Sequence, residues 1–277
     1  MASFALPQLY KDSSEKIFIA TKILLEKYKH LIKIEENASI FEFGVGDGSH
    51  SAKLLYPLYP GDYKEIVATD LSQAMLNYAK NNENIPRCAF SLFDVACETV
   101  PEDYLARFDN VFSLFTLMLV RNTERAFKNI YAMLKPNGRI FSVFHSVLPT
   151  NQVYEKLSRH PIWGKYDHNI NISSYYNESQ PEKGYERALK QAGFDDYTVQ
   201  VETFKYTFKN EKEWKDFFYS VNVVAPKIPQ EEIEDYKKEF FKLIENEVLI
   251  EDESVTDENG LNSRHVTLSL CVLSATK

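Results

Sequence analysis

Three glycines at alternate positions, Gly44, Gly46 and Gly48, follow an apolar run in the stretch SIFEFGVGDGSHSAKLL, residues 39–55. The whole chain has only nine glycines among its 277 residues. A glycine-rich turn after a buried strand lets a ligand approach backbone that a Cβ atom would block. In open α/β sheets, ligands bind beyond the carboxyl ends of the strands. The turn therefore predicts a ligand site here, although a tight strand-to-helix turn in another α/β protein would use glycine as well.

Residues 38–145 alternate strand-like and helix-like segments. The predicted strands are ASIFEF, EIVATD, CAFSLFD, DNVFSLFTL and RIFSVF, and the predicted helices are GSHSAKLLYPL, SQAMLNYAKNN and TERAFKNIYAMLKPNG. Such alternation implies parallel strands joined by crossover helices. Two later alternating segments, YTVQVETFKYTF and RHVTLSLCVLSA, suit strands at one edge of the same sheet. We therefore predict an α/β fold with a doubly wound, seven-stranded, mostly parallel sheet.

Helical segments are expected on both sides of this core. Asp12 followed by Glu15 resembles a helix cap, and apolar residues at helical spacing predict a helix from about Ser13 to Leu31. Two amphipathic stretches near the end of the chain are too long for a plain loop and predict a helical cover inserted before the last strand. We expect one domain that consists of an N-terminal helical segment, a ligand-binding core and this cover (1–277, with parts 1–35, 38–145 and 207–262).

Composition limits the partners of the chain. Its formal net charge of −8 at pH 7 argues against a protein that binds a nucleic-acid backbone, because such binding needs a basic surface. We see no signal peptide, and no apolar run approaches the roughly 20 residues of a membrane span. Cys88, Cys97 and Cys271 have neither disulfide nor metal-ligand spacing. We therefore expect reduced thiols, no metal site and a cytoplasmic location.

The spacing of the glycines differs from that of two common nucleotide-binding loops. A dinucleotide site would follow G-x-G-x-x-G, and here Gly48 comes one residue too early. The Gly-Lys-Ser/Thr of a P-loop is absent as well. The run E-F-G-V-G-D-G instead resembles the acidic-x-Gly-x-Gly-x-Gly signature of class I S-adenosylmethionine-dependent methyltransferases. This resemblance implies a Rossmann-like fold, S-adenosyl-L-methionine as the cofactor and S-adenosyl-L-homocysteine as the product.

The resemblance also assigns cofactor-binding residues. Glu42 would help to hold the amino group of the cofactor, while the three glycines would lie against its tail and ribose. Asp70 and Asp94 end the second and third predicted strands, where carboxylates would accept from the ribose hydroxyls and the adenine amine. Each aspartate could instead begin a turn or cap a helix. The full predicted set is Glu42, Gly44, Gly46, Gly48, Asp70, Leu71, Asp94, Val95, Ser113 and Leu114.

Four stretches carry a closer resemblance: LYKDSSEKIFIATKILLE, DLSQAMLNYAKNN, FDNVFSLFTLMLVRNTERAFKNIYAMLKPNG and YYNESQPEKGYERALKQAGF. Their order and spacing resemble insect juvenile hormone acid methyltransferases, also called farnesoic acid methyltransferases, over most of the chain. The resemblance implies methyl transfer to the carboxylate of a long apolar isoprenoid acid. A carboxylate is already ionised at neutral pH, so catalysis would need alignment in a dry pocket and no general base. We therefore predict no catalytic residue beyond those that position the reactants.

The acceptor half of the predicted site departs from this family. Its members usually present a glutamine on the first helix and a His-Trp pair after the fourth strand, whereas this chain has Ile17, Met118 and Leu119 there. An Asn/Asp-Pro-Pro-Tyr/Phe motif, typical of enzymes that methylate nucleic-acid bases, is also missing. Polar substitutes could come from Gln8, Tyr10 or His145, each of which could equally be an ordinary structural residue. The predicted acceptor-binding set is Tyr10, Ile17, Phe115, Met118, Leu119 and His145.

Three functions stay open at this point. The first is methylation of a small apolar acceptor such as an isoprenoid carboxylic acid, and the second is methylation of another small acid or hydroxyl. The third is a binding protein that kept the cofactor site and lost turnover. The intact glycine motif favours retained catalysis, whereas the missing polar groups motivate the third possibility. Neither the acceptor nor the oligomeric state follows from the sequence.

Overall fold

One mixed sheet organises the computed structural model, which describes residues 6–59, 61–256 and 262–277. Its strands are β1 Ser39–Phe43, β2 Glu65–Asp70, β3 Cys88–Leu92, β4 Phe108–Leu114, β5 Leu134–His145, β6 Asp196–Phe208, β7 Ile250–Thr256 and β8 Asn262–Thr276. The order is β3-β2-β1-β4-β5-β8-β6, with β7 paired to β8. Strands β1 to β5 pair in parallel, whereas β8 runs antiparallel to β5, β6 and β7. The predicted doubly wound, mostly parallel α/β fold is confirmed.

Helices connect these strands: α1 Pro7–Ser13, α2 Glu15–Tyr28, α3 Gln73–Asn82, α4 Thr123–Met133, α5 Asn151–Ser158, α6 Pro181–Ala192, α7 Glu211–Ser220 and α8 Ile233–Glu247. Side-chain caps start three of them, because the Ser72 hydroxyl accepts from the Met75 amide, and the side-chain oxygens of Asn122 and Asn210 accept from the Arg125 and Glu213 amides. Helix α1 packs against α7, α4 against α6, and α5 against α8. Within the described ranges, no helix combines the length and the apolar character that a membrane crossing requires.

The N-terminal segment differs from its prediction. Helix α1 begins with Pro7 near its first position, where the missing N–H of proline costs nothing. Asp12 therefore lies inside α1 and accepts a hydrogen bond from Gln8 Nε2 at 2.8 Å. Helix α2 starts after Ser14, whose side chain makes no capping hydrogen bond. The predicted cap at Asp12 was wrong, but the predicted helix from about Ser13 to Leu31 corresponds to α2 with a short 3₁₀ continuation, Lys29–Leu31. Helix α1, which precedes it, was not predicted.

Two other local predictions also need correction. The predicted helix after the glycine turn contains a π-helix, Ser51–Leu55. A 3₁₀ turn with Pro57, Tyr56–Leu58, continues it. The LKPNG sequence leaves α4 and belongs to β5, because the strand begins at Leu134 opposite Phe108 and passes a register shift. Strand β5 is therefore longer than the predicted RIFSVF.

The predicted cover, residues 207–262, is only partly helical. Helices α7 and α8 lie in it, but β7 follows them and pairs with β8. The β7 sequence IEDESVT is mostly polar, so its alternation gave no strand signal. Residues 257–261 of the predicted cover and 1–5 of the predicted N-terminal segment lie outside the described residues.

Gly184 on α6 offers a test of the packing between α6 and the preceding loop. A Cβ atom at Gly184 would lie 2.3 Å from the ring of Tyr175, which is buried and donates to Glu124. Alanine gains about 1 kcal/mol over glycine in a helix, but overpacking costs about 1–3 kcal/mol. Because a 2.3 Å approach is far below contact distance, the overpacking cost lies near the top of its range, and we expect Gly184→Ala to lower the free energy of unfolding by about 2 kcal/mol in urea titrations. Gly61→Ala, with no heavy atom within 4 Å, is the control and should change it little; a Gly184→Ala protein as stable as the original would contradict this packing.

Candidate functional site

A cavity opens at the carboxyl ends of β1, β2 and β4. Strands β1 and β4 are neighbours in the sheet, at the point where the order of the strands reverses, and such a switch point is the usual ligand site in open α/β sheets. Most of the predicted cofactor-binding residues line this first cavity: Glu42, Gly44, Gly46, Asp70, Leu71, Asp94, Val95 and Leu114.

Two predicted residues lie elsewhere. Gly48 packs against α3, where an added Cβ would come within 3.0 Å of Ala79 Cβ. Ser113 is fully buried inside β4, and its hydroxyl has no hydrogen-bond partner among the described residues. Neither forms part of the wall of the first cavity. Adjacent side chains in a strand point to opposite faces of the sheet. Leu114 lines the cavity, so its neighbour Ser113 points away from it.

The turn after β1 forms part of the wall of the first cavity, and its shape depends on a close approach between Gly44 and Thr116. Gly44 has a φ of +72°, and a Cβ atom there would lie 2.0 Å from Thr116 Oγ1. The Thr116 hydroxyl donates to the Gly44 carbonyl at 3.1 Å. Only glycine fits this position, because any side chain would clash as well as strain the backbone. The contact joins the turn after β1 to the turn after β4.

Gly46 plays a different part, because an added Cβ atom would meet nothing within 4 Å. Its backbone forms cavity wall, and its amide donates to Asp70 Oδ2 at 2.9 Å. The Ser72 amide donates to the other Asp70 oxygen at 2.8 Å. These two bonds fix the Asp70 carboxylate at the edge of the cavity and leave further lone pairs for a ligand. Burial raises the pKa of Asp70, and the backbone hydrogen bonds oppose that rise.

Glu42 lies fully buried in the floor of the cavity. Ser51 and Tyr56 donate their hydroxyl hydrogens to its carboxylate. Burial raises the pKa of Glu42 to about 7, against the opposing effect of these two hydrogen bonds. The carboxyl is therefore close to half ionised at neutral pH, and a cationic group nearby would favour its charged form.

Asp47 and His50 also line the first cavity, although the sequence prediction omitted both. Ser49 donates to Asp47 Oδ1, while Asp47 Oδ2 and His50 Nε2 have no hydrogen-bond partner in the described part of the chain. Burial raises the pKa of Asp47 and lowers that of His50 to about 4. Buried polar atoms without partners are costly, so a polar ligand in this cavity would offset that cost. Asp47 stands inside the glycine motif, and that position could have identified it.

A second cavity lies beside the first. Tyr10, Phe115 and Leu119 line both, so they form the boundary between the two spaces. The other predicted acceptor-binding residues, Ile17, Met118 and His145, line the second cavity only. Its remaining wall comes from the segment after β5, from α5 and α7, and from β8: Leu148, Pro149, Thr150, Tyr154, Asn171, Phe217, Phe218, Val221 and Leu268. None of these lining residues is an aspartate, glutamate, lysine or arginine.

The boundary residue Phe115 has an unusual backbone. Its φ is +55°, a left-handed conformation that is rare for a bulky side chain, and its amide donates to the Val143 carbonyl at 2.6 Å. The ring meets His145 edge-on, with 5.4 Å between centroids. Strain of this kind persists only when the surrounding structure imposes it, and it often marks a functional site.

His145 is buried, unlike an ordinary histidine in a surface loop. Burial lowers its pKa to about 4, so the ring is neutral at pH 7. Gln8, another considered substitute, is exposed and bonded to Asp12 and Tyr78, and it lines neither cavity. Trp163 packs against Tyr236 of α8 and is likewise absent from both walls. In the described ranges, no group of three or more His, Cys, Asp or Glu residues is arranged to hold a metal ion.

Comparison with known proteins agrees with this architecture. Residues 41–140 match a family model described as a methyltransferase domain. Juvenile hormone acid O-methyltransferase of Bombyx mori is 28% identical over 223 residues, 79% of each chain. The enzyme of the same name from Drosophila melanogaster is 24% identical over 260 residues, 92% of this chain and 87% of the other.

The solved structure of phosphoethanolamine N-methyltransferase 2 from Haemonchus contortus, in complex with S-adenosyl-L-methionine, aligns with a TM-score of 0.54. The alignment has 16% sequence identity and covers 98% of this chain and 56% of the other. It confirms the predicted Rossmann-like methyltransferase fold. The sequence matches confirm the predicted resemblance to juvenile hormone acid O-methyltransferases.

The raised pKa of Glu42 predicts a stability change with pH. The ordinary value is 4.5 and the folded value about 7, so between these pH values the unfolded chain is ionised while the folded protein stays protonated. Rising pH therefore lowers the contribution of Glu42 to the free energy of unfolding, by up to about 3 kcal/mol, and above pH 7 it changes no further. Urea unfolding should show Glu42→Gln gaining stability relative to the original protein from pH 4.5 to 7.

The exposed Glu36→Gln serves as the matched control and should follow the original protein at every pH. A stability difference between Glu42→Gln and the original protein that stays constant from pH 4.5 to 7 would contradict the raised pKa.

Proposed function

Because the chain contains a methyltransferase domain on a Rossmann-like methyltransferase fold, we propose that it is an S-adenosylmethionine-dependent methyltransferase acting on a small apolar carboxylic acid. The observation that carries the proposal is the pair of adjoining cavities. One is walled by glycine backbone and carboxylates, and the other is apolar and without charged side chains. They meet at Tyr10, Phe115 and Leu119, where a methyl donor and a methyl acceptor would face each other.

The first cavity fits S-adenosylmethionine and its demethylated product. The open wall at Gly46 gives room for a ligand against the backbone, and Asp70 at its edge suits the ribose hydroxyls. Asp94, held by the Ala96 amide at 2.9 Å, suits the adenine amine. Glu42 and the unpartnered Asp47 oxygen suit the cationic ammonium group. When bound, the cofactor supplies an activated methyl group, and the residues of the chain bind it, orient it and exclude water.

The second cavity supports a carboxylic acid as the acceptor. A carboxylate is a nucleophile at neutral pH, whereas a hydroxyl acceptor needs a base. His145 is the imidazole in that wall, and a pKa of about 4 makes it a weak base. The long apolar walls suit an isoprenoid tail, and the similar proteins from Bombyx and Drosophila are named for juvenile hormone acid.

The same features support a small molecule over nucleic acid as the partner. The net charge of −8 gives no attraction for a phosphate backbone. We also propose a cytoplasmic location, which the free thiols of Cys88, Cys97 and Cys271 support.

Gly46→Val tests the placement of the cofactor. A valine side chain would enter the first cavity, and its positive φ of +58° would cost about 1–2 kcal/mol of stability without abolishing the fold. Titration calorimetry with S-adenosylhomocysteine should therefore detect no binding in a variant that still unfolds cooperatively. Gly61→Val, at an exposed turn, is the control and should bind normally. Normal binding by Gly46→Val would show that the ligand lies elsewhere.

Asp70→Asn tests the proposed activity. The change removes the charge from an acceptor of ribose hydroxyls, and a hydrogen bond to a charged group contributes about 1.5–3 kcal/mol, so we expect about 10- to 100-fold weaker cofactor binding. The readout is transfer of labelled methyl from the cofactor to a panel of isoprenoid and fatty acids, with products identified by mass spectrometry. The exposed Asp62→Asn should keep the original activity.

The distribution of the label separates the alternatives. Methylated acids would support the proposal, whereas label in RNA, DNA or protein with none in the acids would contradict it. Binding of S-adenosylhomocysteine without transfer to any acceptor would favour a binding protein that has lost turnover.

A further inference from the structure

We propose that the side-chain amide of Asn171, together with the His145 ring, holds the carboxylate of the methyl acceptor in the second cavity. This inference rests on the proposed function and names the groups that replace the missing glutamine and tryptophan of the resembling family. It follows from two buried polar atoms that have no hydrogen-bond partner within the described residues, Asn171 Nδ2 and His145 Nδ1.

Asn171 is 2% exposed and lines an otherwise apolar wall. An amide nitrogen offers two hydrogens and accepts nothing, so only an acceptor atom can satisfy it. Native proteins leave few buried donors unpaired, and each such group calls for an explanation. A ligand carboxylate in the second cavity would supply the acceptor that the described residues do not.

The backbone around Asn171 is held in place by its neighbours. Asn171 ends the 3₁₀ segment His168–Asn171, which packs against α5. Two residues on, the Ser173 amide donates to Asn151 Oδ1 at 3.1 Å, and Ser173 Oγ accepts from the Leu148 amide at 3.2 Å. These bonds tie the segment to the start of α5 and to the loop after β5. A group held this way is preorganised for a ligand, since little freedom is lost on binding.

His145 approaches the same cavity from the end of β5. Its strand pairs with β8 opposite Leu270, and its ring packs edge-on against Phe115. The neutral ring carries one N–H, which can donate to a carboxylate as the Asn171 amide does. With Asn171 from the segment after α5, the second cavity thus has two neutral donors on separate elements.

The chemistry of these groups selects the head group of the acceptor. Two donors and no charged side chain among the lining residues favour a carboxylate oxygen over a neutral hydroxyl, because a hydrogen bond to an ionised acceptor is stronger. The apolar walls would accommodate a hydrocarbon tail. The proposed ligand is therefore an acid recognised through its carboxylate by Asn171.

The test compares two probes that share one tail, farnesoic acid and farnesol, by titration calorimetry on the full chain saturated with S-adenosylhomocysteine. We expect the original protein to bind the acid at least tenfold more tightly than the alcohol. Asn171→Asp replaces the donor by a like charge at constant shape, so acid affinity should fall at least tenfold while farnesol affinity stays within twofold. Asn177 is an exposed asparagine in the turn before α6. Asn177→Asp introduces the same charge there and should leave both affinities unchanged.

Asn171→Ala repeats the test without adding a negative charge, and it replaces Asn171→Asp if that variant does not fold. The affinity of Asn171→Ala for farnesoic acid should fall toward its affinity for farnesol. An unchanged preference in folded Asn171 variants would overturn the inference, as would an original protein that does not prefer the acid. In both cases binding of S-adenosylhomocysteine would leave the proposed methyltransferase intact. Loss of acid preference in Asn171 variants of a protein that does not bind S-adenosylhomocysteine would instead support the carboxylate site and contradict the proposed function.

Discussion

The approach of Gly44 to Thr116 is the contact on which the rest of the site depends. It brings the turn after β1 against the turn after β4, at the place where the order of the parallel strands reverses. Without a side chain at Gly44, the Thr116 hydroxyl reaches the Gly44 carbonyl at 3.1 Å. Residues of both turns line the first cavity. A side chain at Gly44 would separate the turns and displace Phe115, the next wall residue along the chain.

The two cavities differ in polarity, as the proposed transfer reaction would require. The first is surrounded by carboxylates and exposed backbone, which suit a ligand with a ribose, an amine and a cationic centre. The second is lined by aromatic and aliphatic side chains from elements that are distant in the sequence. Tyr10, Phe115 and Leu119 touch both spaces, so a reaction at their junction would be shielded from water. Such shielding strengthens the few polar contacts that remain.

Burial of polar groups explains why ligands should matter for stability as well as for activity. Glu42, Asp47, His50 and His145 all have pKa values shifted toward their neutral forms, with burial as the largest cause of each. Buried donors and acceptors without partners oppose folding. Ligands that pair with them bind the folded state alone and should therefore raise its stability. The buried polar groups of the site therefore lower the free energy of unfolding of the protein, and ligands that pair with them would raise it.

Local periodicity and turn chemistry determined much of this protein from the sequence alone. The alternation of β1 to β5 with helices, the glycine turn, and the position of Asp70 at the end of β2 all follow from short-range patterns. The same patterns placed Asp94 at the end of β3, which ends two residues earlier, and missed α1, the π-helix after the turn and the polar strand β7, because pairing partners and packing overrode local preference there.

Only the tertiary structure decided how the second cavity is built. Asn171 and the residues of α5, α7 and β8 have no local signature, since they become neighbours through contacts between distant segments. Ser113 and Leu114 show the same limit on a smaller scale, because the orientation of a strand in its sheet determines which of two adjacent residues faces the site. The wall of the first cavity comes largely from one contiguous turn and the ends of adjacent strands, which short sequence patterns reveal. The second cavity exists only where elements from α1 to β8 meet, and no sequence spacing encodes that meeting.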